Sequence, residues 1–374
     1  MHNRVSSNMY LPSSMIPLHD FLRKEVPSIP VTKILIIMNF LVFLAMLASG
    51  ANLWHSSNGI QLAWGANFGP AVQDGEWWRL GSALFLHFGV VHLALNLIAL
   101  WDSGQLVERM YGHVRFAIIY FTSGLVGNLL SLATREGATV SGGASGAIFG
   151  IYGALLIFLW RERGNLQRHE FRWLFWGATG FSIITIILGF SVTGIDNAAH
   201  IGGFVSGIMS GLILAKSGIT KCVSTRGRLF SGGTFILLII VLIGQIPEPS
   251  YRWSEEVLVR REINNFLRDD VEIRHAWQDI LDEGKRGDIS FDEIAGRIDT
   301  AIGDRYEESF EQLSRLPANP ALPSAVAMET LRHYVERRRD FSRALASGLR
   351  AGKPAETMDA LEKNEDFRQM DSTR

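Results

Sequence analysis

The sequence has little cysteine and, over its first 246 residues, little charge. Its single cysteine, Cys222, cannot form a disulfide within the chain and does not indicate a redox compartment. Residues 1–246 contain 16 lysines and arginines and 10 acidic residues, whereas residues 247–374 contain 20 and 27. Much of the first part consists of uncharged apolar runs of about the length that crosses a bilayer. These contrasts indicate a polytopic membrane protein followed by an acidic soluble domain.

Seven apolar runs are candidates for membrane-spanning helices. They are Thr32–Trp54, Leu80–Trp101, Phe116–Ala133, Gly143–Trp160, Trp173–Phe190, Ala198–Ala215 and Phe230–Ile246. We therefore expect an all-α polytopic membrane protein in which residues 33–216 form a six-helix core. A cytoplasmic segment (1–32), a basic linker (217–229), a seventh membrane helix (230–246) and an acidic helical domain (247–374) complete the predicted organisation.

The first run also has features of a signal peptide, because Ala48-Ser49-Gly50 resembles a cleavage site. Its uncharged stretch, Ile34–Leu53, is longer than a typical signal-peptide core, which favours a retained membrane helix.

Basic residues fall mainly on one side of the predicted spans. They are Arg4, Arg23, Lys24, Lys33, Arg109, Arg115, Arg161, Arg163, Arg168, Arg172, Lys216, Lys221, Arg226 and Arg228. Only Arg79 and Arg135 fall in the opposite loops. The positive-inside rule then predicts a cytoplasmic N-terminus, and seven spans place residues 247–374 outside.

Two of the runs carry glycines at every fourth residue. Gly142 immediately precedes the fourth run and is followed at this spacing by Gly146 and Gly150, and His200, Gly207 and Gly211 share one face of the sixth. Faces of bare backbone allow membrane helices to approach closely. The spacing therefore predicts that the two helices pack together.

Ser145 and His200 lie on these two helices, and the predicted topology places both a short way below the outer surface. A serine hydroxyl with a neutral imidazole beside it is a nucleophile with its base. An imidazole inside a membrane span is costly and indicates function. The alternatives are glycine-mediated packing for Ser145 and a carbonyl-bonded structural role for His200. Asp196 either extends the pair to a triad or lies in the loop 194–197 that caps the site.

His92 and Asn96 form a further polar pair. Residues four apart share a helix face, so the imidazole and the amide project together. With the backbone N–H of Ser145 they could stabilise the oxyanion of amide hydrolysis. The alternative is hydrogen bonding between helices.

Together these motifs resemble the rhomboid intramembrane serine proteases, over roughly residues 70–215. The matching segments are Trp78-Arg79, His87-Phe88, His92-Leu-Ala-Leu-Asn96, Gly143-Ala-Ser145-Gly146 and Ala199-His200-Ile-Gly-Gly203. The resemblance implies that Ser145 is the nucleophile and His200 the general base of a dyad without an essential acid. It assigns the oxyanion to His92 and Asn96, and it places the start of the Asn96 helix near Gly89.

The resemblance also implies supporting roles around this dyad. Phe149 matches an aromatic that supports the histidine ring, and Trp78-Arg79 belongs to the first external loop. Gly143, Gly146, Gly203 and Gly207 are the positions where small residues would let the site assemble.

The resulting expectation is a serine endopeptidase that cleaves transmembrane segments of membrane proteins near the outer face of the bilayer. No cofactor, metal ion or nucleic-acid partner is expected. One alternative is a rhomboid-like protein that binds and escorts membrane proteins without cutting them; such proteins typically lack the dyad. Another is a transporter or channel, which would carry polar groups through the full depth of the membrane.

The acidic domain shows helical patterns but no chemistry. Ser290-Phe-Asp-Glu293 is a capping box, and Ile294, Ile298 and Ile302 follow at helical spacing. The basic run Arg337–Arg339 is interpreted as a solvated helix face. The sequence does not indicate what this domain binds.

Overall fold

The computed structural model describes residues 17–134, 139–192, 194–215, 224–287 and 289–353. The chain forms two compact units that divide between Pro249 and Ser250. The helices of the first unit are α1 (Leu18–Glu25), α2 (Pro30–Ala48), α3 (Asn58–Ala63), α4 (Gly69–Gln73), α5 (Arg79–Ser82), α6 (Val90–Tyr111), α7 (His113–Thr134), α8 (Ser145–Glu162), α9 (Arg168–Ser191), α10 (Asn197–Leu214) and α11 (Thr225–Gly244).

Seven of these helices, α2 and α6 to α11, are long and apolar enough to cross a membrane, counted over the described residues. The predicted all-α polytopic fold is therefore confirmed. Most predicted boundaries shift by a few residues: α2 ends at Ala48 rather than Trp54, and α11 starts at Thr225 rather than Phe230. Predictions for residues 1–16 and for the linker up to residue 223 lie outside the described residues.

The prediction of one helix over Leu80–Trp101 is wrong. The chain there forms α5, a short 3₁₀ turn and an extended stretch before α6 begins at Val90. Backbone groups of this stretch form hydrogen bonds with the loop that follows α2 instead of continuing a helix. The carbonyl of Phe88 accepts from the N–H of Ser56 (2.6 Å), and the N–H of Val90 donates to the carbonyl of Leu53 (2.9 Å). A hydrophobic run cannot reveal such long-range pairing, whereas the family resemblance correctly places the helix start near Gly89.

The N-terminus of α2 is fixed by a buried carboxylate from α6. Glu108 is fully buried and accepts hydrogen bonds from the N–H of Val31 (3.0 Å) and of Thr32 (2.8 Å), and from the Thr32 hydroxyl (2.6 Å). Pro30 occupies the first turn, where a missing N–H costs nothing. A carboxylate at this end also complements the helix dipole.

The centre of the first unit is α8, which packs against α10, α7, α6 and α9. Large apolar side chains from these helices, among them Tyr111, Phe116, Ile151 and Phe158, form its buried core. The seventh helix, α11, lies against α7, where Leu242 packs on Val126 and Leu129.

A two-stranded ribbon joins the loop before α4 to the loop before α8. Strand β1 (Asn67–Phe68) pairs antiparallel with strand β2 (Val140–Ser141), with Asn67 opposite Ser141. The ribbon thus ties the long segment after α2 to the residues that immediately precede Ser145.

The second unit consists of α12 (Trp253–Arg286), α13 (Phe291–Ile298), a π-helical turn (Asp299–Gly303), α14 (Asp304–Ser314) and α15 (Ala325–Arg350). Its helical character agrees with the sequence patterns, and the Ser290 hydroxyl accepts from the N–H of Glu293 (3.2 Å) as a capping box requires. The interpretation of Arg337–Arg339 as a solvated face is wrong for two of its residues. The guanidinium of Arg338 lies over Tyr306 and Tyr334, and that of Arg339 over Phe310, because α15 packs this side against α14.

Candidate active site

Ser145 is the first residue of α8 and is half-buried. Its position depends on Gly143, whose φ of +142° is a conformation that L side chains rarely adopt. The N–H of Gly143 donates to the carbonyl of Ala83 (2.8 Å), in the 3₁₀ turn that follows α5. This hydrogen bond ties the loop before α8 to that turn. The serine is thus held at a helix start by a glycine turn and by a backbone hydrogen bond.

His200 is the fourth residue of α10 and is buried, with 5% of its surface exposed. Its Nε2 lies 2.9 Å from Ser145 Oγ, within hydrogen-bonding distance. The two residues lie 55 positions apart in the sequence and meet at the N-terminal ends of two helices.

The helices α8 and α10 run parallel and touch through backbone. A Cβ added at Gly203 would lie 1.9 Å from the Gly146 carbonyl oxygen, and one added at Gly207 would lie 1.9 Å from that of Gly150. The second contact lies four residues further along both helices than the first. The two contacts together fix the register of α8 against α10. Glycine is therefore required where the two helices bring Ser145 and His200 together.

Phe149, one turn after Ser145, stacks on His200. The ring centroids are 4.3 Å apart and the planes differ by 10°. On its other side Phe149 approaches Phe181 of α9 at 6.3 Å. The imidazole therefore has a flat aromatic surface that restricts its rotation.

The imidazole of His92 lies beside Gly143, close to Ser145. A Cβ added at Gly143 would be 3.0 Å from Nε2 of His92 and 3.8 Å from Ser145 Oγ. The N–H of Phe88 donates to Nδ1 of His92 at 3.5 Å, the outer limit of a hydrogen bond. An acceptor role for Nδ1 assigns the proton of the neutral ring to Nε2, which makes Nε2 a donor on the side of Ser145.

Asn96 is buried on α6, and its amide donates to the carbonyl of His92 (2.8 Å). One of its two amide hydrogens is used in this bond, and an amide group has a second hydrogen that it can donate.

Asp196 lies at the N-cap of α10. Its carboxylate accepts from the N–H of Ala199 (3.0 Å) and from the Ser131 hydroxyl (2.6 Å). These bonds cap α10 and connect it to α7, so the carboxylate has a structural task at the end of the helix that carries His200.

Trp78 and Arg79 organise the loop that leads to α5. Arg79 is buried and donates to the carbonyls of Leu62 (2.8 Å) and Ala66 (3.3 Å), and it pairs with Glu76. Its guanidinium also lies 4.8 Å from the ring of Trp78, which is 55% exposed. Their contacts thus hold the loop rather than the dyad.

The sequence reasoning missed Asn128 of α7. Its side-chain amide donates to the backbone carbonyl of Leu80 (2.7 Å), and its backbone carbonyl accepts from the side-chain amide of Asn67 (3.2 Å). An amide inside an otherwise apolar span was the available signal. Within the described residues, no cluster of histidine, cysteine or acidic side chains could hold a metal ion.

Comparison with known proteins identifies the family of the chain. The family model described as Rhomboid domain matches residues 74–217. The chain is 32% identical over 295 residues to the rhomboid protease GluP of Bacillus subtilis (strain 168), which covers 76% of this chain and 53% of GluP. It is 33% identical over 168 residues to YdcA of the same organism (45% of this chain, 79% of YdcA) and 35% identical over 166 residues to RHOMBOID-like protein 4 of Arabidopsis thaliana (42% and 39%).

The chain spans about half of the length of GluP and less of the Arabidopsis protein, whereas it covers most of YdcA. The resemblance drawn from separated motifs is therefore confirmed at the level of the family. The chain belongs to the rhomboid family of integral, multi-pass membrane proteins.

Proposed function

We propose that this protein is an intramembrane serine endopeptidase whose catalytic dyad is Ser145 and His200. The observation that carries the proposal is the 2.9 Å separation between His200 Nε2 and Ser145 Oγ. A serine hydroxyl is a weak nucleophile unless a base removes its proton, and this distance permits direct transfer.

In the proposed reaction, Ser145 Oγ attacks the scissile carbonyl while its proton moves to Nε2 of His200. The carbonyl oxygen becomes an oxyanion beside Gly143. His92 Nε2–H, the Asn96 amide and the backbone N–H of Ser145 are the donors that would stabilise it. The C–N bond then breaks as His200 gives its proton to the leaving amine, and an acyl-enzyme remains.

A water molecule completes the cycle. His200 removes a proton from the water, the resulting hydroxide attacks the acyl carbon, and the proton returns to Ser145 Oγ as the ester bond breaks. Phe149 keeps the imidazole plane fixed through these transfers, since the stacked ring resists rotation.

The proposed substrates are transmembrane segments of other membrane proteins. In lipid, a helix satisfies all of its backbone groups internally, which protects its peptide bonds. Substrates with small or helix-breaking residues near the end of the span should therefore be preferred. The distribution of lysine and arginine supports a cytoplasmic N-terminus, with the dyad and residues 247–374 on the outer side.

An activity-based probe tests the nucleophile. A fluorophosphonate should label the wild-type protein in membranes but not Ser145→Ala, and labelling should persist in Ser210→Ala, a serine of α10 bonded to Thr122. A rhomboid-like escort protein would remain unlabelled in all three forms. Equal labelling of wild type and Ser145→Ala would refute the assignment.

A further inference from the structure

Asp102 is an acidic side chain within α6, a helix long and apolar enough to cross a membrane. The side chain is exposed, and it forms no hydrogen bond or ion pair with any residue that the structure describes. Glu108 on the same helix is different, because it is buried and its oxygens cap α2. An acid inside a membrane span is costly and indicates a function, and the fold gives Asp102 no structural one.

Asp102 lies well inside the span rather than at either end. It is ten residues from His92, which lies beside the loop of Ser145, and six residues from Glu108, which lies at the start of α2. At the helical rise of 1.5 Å per residue, these separations are about 15 Å and about 9 Å. The carboxylate is therefore at apolar depth, on the side of the membrane away from the dyad.

Asp102 ends an exposed apolar stripe on α6. Val91, Leu95, Ile98 and Asp102 follow one another at spacings of four, three and four residues, which places them on one face of the helix. More than half of each apolar side chain in this stripe is exposed. The stripe thus presents three apolar side chains and one carboxylate to whatever adjoins α6 in the membrane.

The carboxylate lies beside a gap between α6 and α9 that leads to the dyad. The Tyr152 ring of α8 stacks on Phe181 of α9, with 4.6 Å between centroids, and the Tyr152 hydroxyl lies beside Asp102. Phe181 also approaches Phe149, the ring that supports the imidazole of the dyad. Both α6 and α9 pack on α8, whereas over the described residues they do not pack extensively against each other. A helix lying along this gap would reach Ser145 at one end and Asp102 further along.

We propose that Asp102 selects substrates by pairing with a lysine or arginine of the transmembrane segment, about ten helical residues from the scissile bond on the side away from the dyad. The inference rests on the proposed proteolysis at Ser145. A carboxylate and a cation are each costly in hydrocarbon, and pairing offsets both costs. Lysine and arginine are concentrated at the cytoplasmic ends of membrane spans, which is the end toward which Asp102 lies in the proposed topology.

The first test measures binding, so it does not depend on cleavage. Full-length Ser145→Ala protein in nanodiscs is titrated with fluorescently labelled transmembrane peptides that share one apolar span, with a glycine pair near the end that faces the dyad. The position about ten residues beyond that pair carries lysine, leucine or glutamate, and a fourth peptide carries the lysine two residues away, on the opposite helix face. The first lysine peptide should bind about fivefold more tightly than the leucine and displaced-lysine peptides, and the glutamate peptide should bind most weakly.

Variants of Asp102 in the Ser145→Ala background test the pairing itself. Asp102→Asn should bind the lysine and leucine peptides equally, and Asp102→Lys should prefer the glutamate peptide. Asp102→Glu keeps the charge and should keep the lysine preference, which serves if the other variants fail to fold. Glu248→Gln is the control, because it removes an exposed carboxylate beyond the end of α11, and it should keep the preference. Equal binding of lysine and leucine peptides by the Ser145→Ala protein, or a lysine preference that persists in folded Asp102→Asn, would overturn the proposal.

Cleavage separates this inference from the proposed function. With Ser145 restored, the lysine substrate should be cut with a kcat/KM about fivefold higher than the leucine substrate. If the peptides show the lysine preference but the protein with Ser145 cuts none of them, the proteolytic function is wrong while the pairing by Asp102 holds. If all are cut at equal rates and bound equally, proteolysis holds and the pairing is wrong.

Discussion

The ring of Phe149 lies flat against the imidazole of His200, with 4.3 Å between centroids. Phe149 is on the helix of Ser145, one turn further along, so the nucleophile and the support of its base are parts of the same rigid element. Because α8 carries both side chains, a change in the packing of α8 would move Ser145 Oγ and the Phe149 ring together.

Replacing Phe149 should reduce turnover more than it reduces folding. Phe149→Leu keeps apolar volume but removes the flat surface, and a misplacement of about 1 Å can cost about 10²-fold in rate. We expect kcat to fall roughly 10- to 100-fold for cleavage of a single-span substrate, with KM little changed. Phe149→Tyr should retain most activity. Phe171→Leu, in a stacked pair with Phe175 elsewhere on α9, is the control; equal loss in both leucine variants would show a general packing effect.

The close approach of α8 and α10 predicts a large effect from a single methyl group. Gly207→Ala should lower thermal stability and abolish most cleavage, because its Cβ would lie 1.9 Å from the carbonyl oxygen of Gly150. Gly180→Ala on α9 is the matched control, since a Cβ there meets nothing within 4 Å. In a helix interior without a clash, this change is favourable by about 1 kcal/mol. A fully active Gly207→Ala would show that the two helices do not pack in this register.

The proposed oxyanion donors predict a defect in turnover with the nucleophile preserved. Asn96→Ala and His92→Ala should each lower kcat by about 10²–10³, the usual cost of losing such a donor. Fluorophosphonate labelling of Ser145 should be partly kept. Asn39→Ala is the control, because Asn39 makes the same backward bond within α2, to Leu35 O (2.7 Å). If Asn96→Ala cleaves as fast as Asn39→Ala, the amide is structural.

The topology predicts where the acidic domain lies. If α11 crosses the membrane, protease added outside intact cells should digest residues 250–353 and spare a tag at the N-terminus. Protection of that domain until the membrane is permeabilised would contradict the crossing. Deletion of residues 251–374 should leave basic proteolysis intact, because the rhomboid match ends at residue 217.

Local patterns in the sequence predict the seven long apolar helices, apart from the start of α6 and small shifts at other ends, and they predict the contact between α8 and α10. Glycine at every fourth residue predicts a close helix pair, whatever residues surround it. Ser145 and His200 lie at the N-terminal ends of the two helices that this spacing pairs. Both residues lie in motifs that resemble the rhomboid family, Gly143-Ala-Ser145-Gly146 and Ala199-His200-Ile-Gly-Gly203.

The sequence did not reveal features that depend on distant backbone. The start of α6 is set by the N–H of Val90 bonding to Leu53, and the loop around Arg79 is held by carbonyls 13 and 17 residues away. The stacking of Arg338 on Tyr306 joins two helices of the second unit, so three consecutive arginines looked like a solvated surface. Each of these contacts is specific in space but has no periodic signature in the chain.

The most direct test of the account is the cleavage of a single-span substrate by purified protein in lipid vesicles, with wild type, Ser145→Ala and His200→Ala compared at equal levels of folded protein. The wild type should cut within or at the edge of the substrate's transmembrane segment, and both variants should show no cleavage above background. Cleavage by either variant at a rate near that of the wild type would contradict the dyad.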